Sequence, residues 1–80
     1  MSYVVKRSVT IRGHRTSFSL EQPFFDSLTA IAQRRNLSLA ALVAEVDANR
    51  PKGANLSSAL RVYVLEDARR GDAAERSPGG

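Results

Sequence analysis

The chain has no cysteine and no tryptophan, and only one histidine and one methionine among its 80 residues. Without cysteine there is no disulfide, no iron–sulfur cluster and no thiolate zinc site, and a reducing cytoplasm is the expected compartment. A single histidine, His14, forms no imidazole cluster, so no metal and no cofactor is expected. Long apolar runs are missing too, which leaves nothing to span a membrane. The opening Met-Ser-Tyr-Val-Val-Lys-Arg has no apolar segment after its basic pair, so no signal peptide is read. Neither common glycine-rich phosphate loop is present. The acid pairs Glu45 with Asp47 and Glu66 with Asp67 point to different helix faces and cannot converge as general acid and base. Eighty residues also give too little wall for an enclosed substrate pocket. An enzyme is not expected.

What is present begins with charge. The chain carries a formal +4. Lys6, Arg7, Arg12 and Arg15 hold all of it, because beyond residue 20 acids and bases balance. A basic segment on a neutral body points to a polyanion partner; a solvated basic terminus is the other reading.

From Val4 to Leu20 the pattern alternates with a period of two. Val5, Val9 and Ile11 share one parity, and Lys6, Ser8, Thr10 and Arg12 the other. After Gly13-His14 the parity flips, with Phe18 and Leu20 apolar and Arg15, Ser17 and Ser19 polar. A two-residue loop at Gly13-His14 accounts for the flip, since glycine accepts positive φ. That register places Arg12 opposite Arg15, Ile11 opposite Thr16, Thr10 opposite Ser17 and Val9 opposite Phe18. A bulge at Gly13 in one longer strand is the alternative. Either way one face is apolar, while the other is polar and strongly basic.

Three helices follow. Phe24 or Phe25, Leu28, Ile31 and Ala32 share one face of a helix over about 22–36, with Pro23 in its first turn and Asn36 as a left-handed stop. Ser38 caps a second helix, from Leu39 to about Ala48, with Leu39, Leu42, Val43 and Val46 as its stripe. A third helix runs from Leu56 or Ser58 to Arg70, capped by Asn55 or Ser57 and closed by Gly71. Its middle, with Leu60, Val62, Tyr63, Val64 and Leu65, is apolar nearly all round, so it needs two partners. Residues 1–70 read as a single domain and 71–80 as a disordered tail without large apolar residues. The aromatics mostly fall on core stripes, so no stacking platform for single-stranded nucleic acid is evident.

Arg15-Thr-Ser-Phe-Ser-Leu-Glu21, then Phe25…Leu28…Ile31-Ala32, Asn36-Leu-Ser38 and Leu42-Val43…Val46 together resemble the ribbon-helix-helix family of DNA-binding proteins. The resemblance covers roughly residues 15–48. It is closest to a bacterial subgroup with a basic N-terminal extension and an added third helix. It implies a mainly α fold with a short β-ribbon: a ribbon-helix-helix homodimer plus an N-terminal strand or hairpin and a third helix.

In that family two chains pair their strands antiparallel and the ribbon enters the major groove, where each base pair presents its own donor and acceptor pattern. Carried over, Arg15, Ser17 and Ser19 face bases. Phe18 and Leu20 turn into the dimer core with Leu28, Leu42 and Val46. The amides after Ser38, beginning with Leu39, clamp a phosphate. Outside the resemblance, which assigns the hairpin and the third helix no role, the basic segment places Lys6, Arg7, Arg12 and His14 on the DNA backbone. The expected partners are double-stranded DNA and a second copy, with higher oligomers on DNA as an extension. The implied role is a nucleoid-associated transcriptional repressor. Serines at two base-facing positions are shorter than the side chains usual there, so either readout leans on Arg15, Arg12 and the upstream strand or sequence specificity is modest. The alternative is a protein-interaction adaptor, or antitoxin-like module, binding a partner through Leu56–Arg70.

Overall fold

The computed structural model describes residues 3–76, with side chains described from residue 3 to residue 71. Two strands lead into three helices: β1 (Val4–Ile11), β2 (His14–Glu21), α1 (Gln22–Arg34), α2 (Leu39–Asn49) and α3 (Leu56–Arg76). The strands form one antiparallel hairpin, pairing Ile11 with His14, Val9 with Thr16, Arg7 with Phe18 and Val5 with Leu20.

The loop is Arg12-Gly13, one residue earlier than the sequence suggested. Both residues have positive φ, 52° and 80°. A type I′ turn requires this at both central positions, and glycine serves best at the second of them. The expected opposition of Arg12 with Arg15 and Val9 with Phe18 is therefore replaced by Thr10 with Arg15 and Val9 with Thr16. Each β1 residue meets a partner two positions from the expected one. Because side chains alternate with period two, the faces survive this slip, whereas a one-residue slip would invert them. Arg12 itself leaves the strand for the loop tip, and the bulged-strand alternative is not adopted.

Helix α1 begins after Glu21, which caps it without a side-chain bond, with Pro23 in the first turn. It ends at Asn36, whose φ of 57° is the left-handed stop that its side chain tolerates. Ser38 then caps α2, its Oγ accepting the Ala41 amide at 3.0 Å. Ser38→Ala should cost about 1 kcal/mol, seen as a lower denaturant midpoint; an unchanged midpoint would remove the cap from the account of α2. Asn55 caps α3 by accepting the Ser58 amide at 2.8 Å.

The end of α3 differs from expectation. The helix passes through Gly71 to Arg76, because Gly71 keeps helical φ: positive-φ glycines are Gly13 and Gly53 among the described residues. A helical glycine costs about 1 kcal/mol relative to alanine but ends a helix only when it turns left-handed. Of the tail expected over 71–80, residues 77–80 lie outside the described residues.

Every element except β1 contributes buried residues to one core. Phe18 and Leu20 come from β2, Leu28, Ile31 and Ala32 from α1, and Leu42, Val43 and Val46 from α2. Leu56, Leu60 and Val64 complete it from α3. Val9 and Ile11 of β1 pack against its edge. Phe18, Leu20, Leu28, Leu42 and Val46, which the sequence assigned to a dimer core, are thus buried within one chain. The third helix and β1 provide part of the cover that the sequence reading gave to a second copy. Only one side of α3 is used: Val62 and Leu65 remain 52% and 53% exposed.

Candidate nucleic-acid interface

The register sorts the hairpin into two faces. Lys6, Ser8 and Thr10 lie opposite Ser19, Ser17 and Arg15 on the outward face. All except the half-buried Ser19 are exposed. Across that face Arg15 Nε donates to Ser8 Oγ at 3.3 Å, a bond long enough to release the guanidinium. Arg12 extends from the exposed loop tip. The structure therefore brings Arg15, Ser17 and Ser19 together with Lys6, and adds Ser8 and Thr10 to the same surface.

Arg7 is not on that surface. Its position shares parity with Val5, Val9 and Ile11, so it points toward the helices. There its guanidinium sits 3.7 Å from the centroid of the Phe25 ring. Its Nη2 donates to Gln22 Oε1 at 3.0 Å, while Nε is buried without a partner. The backbone role expected for Arg7 is corrected here: the fold uses the residue as a stacked, half-buried prop. The two-residue alternation gives the face of Arg7 but not its partner Phe25. His14 pairs with Ile11 beside the loop and is exposed.

Part of the charge on the body is neutralised internally, while Lys52, Arg69 and Arg70 are in no salt bridge among the described residues. Arg34 pairs with Asp67 at 2.6 Å, Arg35 with Glu45 at 2.6 Å, Arg50 with Asp47 at 2.7 Å and Arg61 with Glu21 at 2.9 Å. Among the described residues no carboxylate pairs with Lys6, Arg12 or Arg15. Their field is left for an external anion.

Two of these pairs carry a pH consequence. The hydrogen bond from Arg35 holds Glu45 below its ordinary carboxylate value. Arg61, and then the residue's own amide, do the same for Glu21. Arg35 is raised by Glu45 and the Tyr63 hydroxyl. A depressed folded-state pKa stabilises the native chain above the unfolded value, near pH 4.3 for glutamate, and that stabilisation disappears as pH falls through the folded value. The thermal midpoint should therefore decline on acidification below about pH 4.3. Glu45→Gln should decline less over the same window, and a slope parallel to the parent would exclude this carboxylate as a cause.

A second anion-receptive feature is the start of α2. Ser38 Oγ takes the Ala41 amide, leaving the amides of Leu39 and Ala40 without an intrahelical partner by their position. Sequence reasoning did not find what braces Ser19. Its amide donates to Ser57 Oγ at 2.8 Å, and Arg61, bound to Glu21, reaches its carbonyl at 3.4 Å. Both braces lie about 40 residues away and follow no local pattern.

An exposed antiparallel ribbon with a basic hydroxyl-bearing face, carried on packed helices, defines a small ribbon-and-helix module. Residues 4–68 match the family described as ribbon-helix-helix domain. The chain belongs to that family. Such domains generally bind DNA as dimers and are typically non-enzymatic. No curated protein and no solved structure matches the chain. No helix among the described residues is long and apolar enough to cross a membrane.

Proposed function

We propose that this chain is a homodimeric transcriptional regulator, acting as a repressor, that lays the outward face of its ribbon in the major groove of DNA. The observation that carries this reading is the segregation of charge. Lys6, Arg12 and Arg15 gather without acidic partners on and beside the face that carries Ser8, Thr10, Ser17 and Ser19, while four arginines of the body, Arg34, Arg35, Arg50 and Arg61, are each held by a carboxylate. A two-stranded ribbon fits the width of the groove. Hydroxyls that donate and accept then meet base edges, and Arg15 offers the bidentate fork that suits guanine. Lys6 and Arg12 flank the readout on phosphates, and the start of α2 at Ser38 and Leu39 takes another.

Residues 1–70 act as one domain in this reading, in a bacterial cytoplasm and associated with the nucleoid. The adaptor reading rests on Val62 and Leu65 alone, two exposed residues on a helix otherwise committed to the core. Fluorescence anisotropy of labelled random duplex, titrated with salt, tests the proposal alongside sedimentation. Binding by a dimer that weakens steeply with salt is expected. No binding at low salt would overturn it and turn attention to α3.

A further inference from the structure

The strand that carries Ser17 and Ser19 is tied to α3 at its helix end. With the loop at Arg12-Gly13, the hydrogen-bonded pairs of the hairpin are Ile11–His14, Val9–Thr16, Arg7–Phe18 and Val5–Leu20. Ser19 lies between two of these, opposite Lys6, so its amide and carbonyl turn away from β1. Both are met by one face of α3. Ser57 Oγ accepts the Ser19 amide at 2.8 Å, and Arg61 Nη2 reaches the carbonyl at 3.4 Å. Arg61 is itself held by Glu21, its Nε donating to Oε1 at 2.9 Å. Ser57 and Arg61 stand one helical turn apart and therefore share a face. The start of α3 does not need the Ser57 hydroxyl, because Asn55 Oδ1 already takes the Ser58 amide.

We propose that Ser57 and Arg61 are positioning residues for DNA recognition: by clasping the backbone of Ser19 they fix the angle at which the outward hydroxyls of β2 meet base edges. The inference rests on the major-groove reading above and names the residues outside the ribbon that control its selectivity. Phe18 and Leu20, on either side of Ser19, anchor the strand by burial. Burial is non-directional, so it leaves the ribbon free to roll and slide by small amounts over the core. Hydrogen bonds are directional and weaken steeply as the donor angle bends. A donor and an acceptor held at the same residue therefore set both the depth of Ser19 and the roll of the outward face. Base readout is sensitive to that roll, because a side-chain hydroxyl must meet its base-edge partner within the narrow range of a hydrogen bond. Attraction to phosphates is far less sensitive, since it acts over about 8–10 Å. Ser57 and Arg61 thus act through Ser19 without touching DNA, and loosening the clasp lowers selectivity while general affinity stays.

A duplex selected from a random pool by the parent protein, with random duplex as its reference, tests the proposal by fluorescence anisotropy across salt. Ser57→Ala should lower the affinity ratio of selected to random duplex by about 2- to 12-fold, the worth of one neutral hydrogen bond. Its random-duplex affinity and salt slope should stay at the parent's values. Ser57→Thr keeps the hydroxyl and should restore the ratio. Ser58→Ala, at the neighbouring exposed position, should leave the ratio unchanged. Arg61→Lys keeps the charge but loses the fork that spans Glu21 and Ser19; it should lower the ratio as well, and it carries the test if Ser57→Ala does not fold. The Ser19 amide should exchange with solvent faster in Ser57→Ala than in the parent, and an equal rate would mean that the clasp does not form. Affinities for both duplexes falling in step, or a ratio equal to the parent's in Ser57→Ala and Arg61→Lys, would overturn the positioning role and leave DNA binding intact. A parent that prefers no duplex would overturn it in the same way. A parent that binds no duplex at low salt would overturn the DNA reading itself, and this inference with it.

Discussion

Leu60→Ala is expected to lower the thermal midpoint by roughly 10 to 30 °C. Leu60 is completely buried in the same cluster as Leu28 and Leu42. Truncation there removes transfer energy and leaves a cavity, costing about 2–5 kcal/mol. A domain of this size holds only about 5–15 kcal/mol in all. The substitution therefore decides whether α3 is structural or appended. An appended helix would tolerate it. Leu65→Ala, further along the same helix but 53% exposed, is the control and should change the midpoint little. Equal effects at the two positions would contradict the packing of α3 described above. Thermal circular dichroism at a fixed concentration is the measurement, since a dimer's midpoint moves with concentration.

Arg15→Ala should produce the largest loss of DNA affinity among single surface substitutions. A bidentate bond to a base is worth about 1–3 kcal/mol of discrimination, roughly 5- to 150-fold on a preferred site. Removing a cation from a phosphate instead weakens all duplexes alike and lowers the salt slope by about 0.9 for each phosphate no longer neutralised. Arg15, at the loop end of the outward face, should show the first signature, and Lys6→Ala the second. Arg50→Ala removes the same formal charge, but from a guanidinium already paired with Asp47. Its binding should stay near that of the parent. If Arg50→Ala and Arg15→Ala weaken binding equally, net charge rather than the ribbon face governs affinity.

The thermal and binding experiments are separable because the two functions of the hairpin occupy opposite faces. Phe18 and Leu20 point into the core while Ser17 and Ser19 point out. Substitutions on the outward face remove no buried apolar surface, so a fall in affinity there is not a fall in folding.

Local residue patterns were enough to settle which side chains share a face and where most helices start and stop. Alternation with period two separates Lys6, Ser8, Thr10, Arg15, Ser17 and Ser19 from Val5, Val9, Phe18 and Leu20, and this holds under any register shift of two. Capping is equally local: Ser38, Asn36 and Asn55 act on backbone groups within a few residues, so their chemistry is written in the neighbouring sequence. Folding in three dimensions settled the rest. Hairpin register depends on which residues accept positive φ together, and alternation cannot distinguish pairings that differ by two. Arg7 became a prop because Phe25 lies beneath it across a chain separation that no local pattern spans. The third helix covered part of the core, and through Ser57 and Arg61 it occupied the outer backbone edge of β2 at Ser19. Both outcomes come from long-range packing, where the free energy gained by burying Leu56, Leu60 and Val64 fixes α3 in space and so determines which backbone groups remain available.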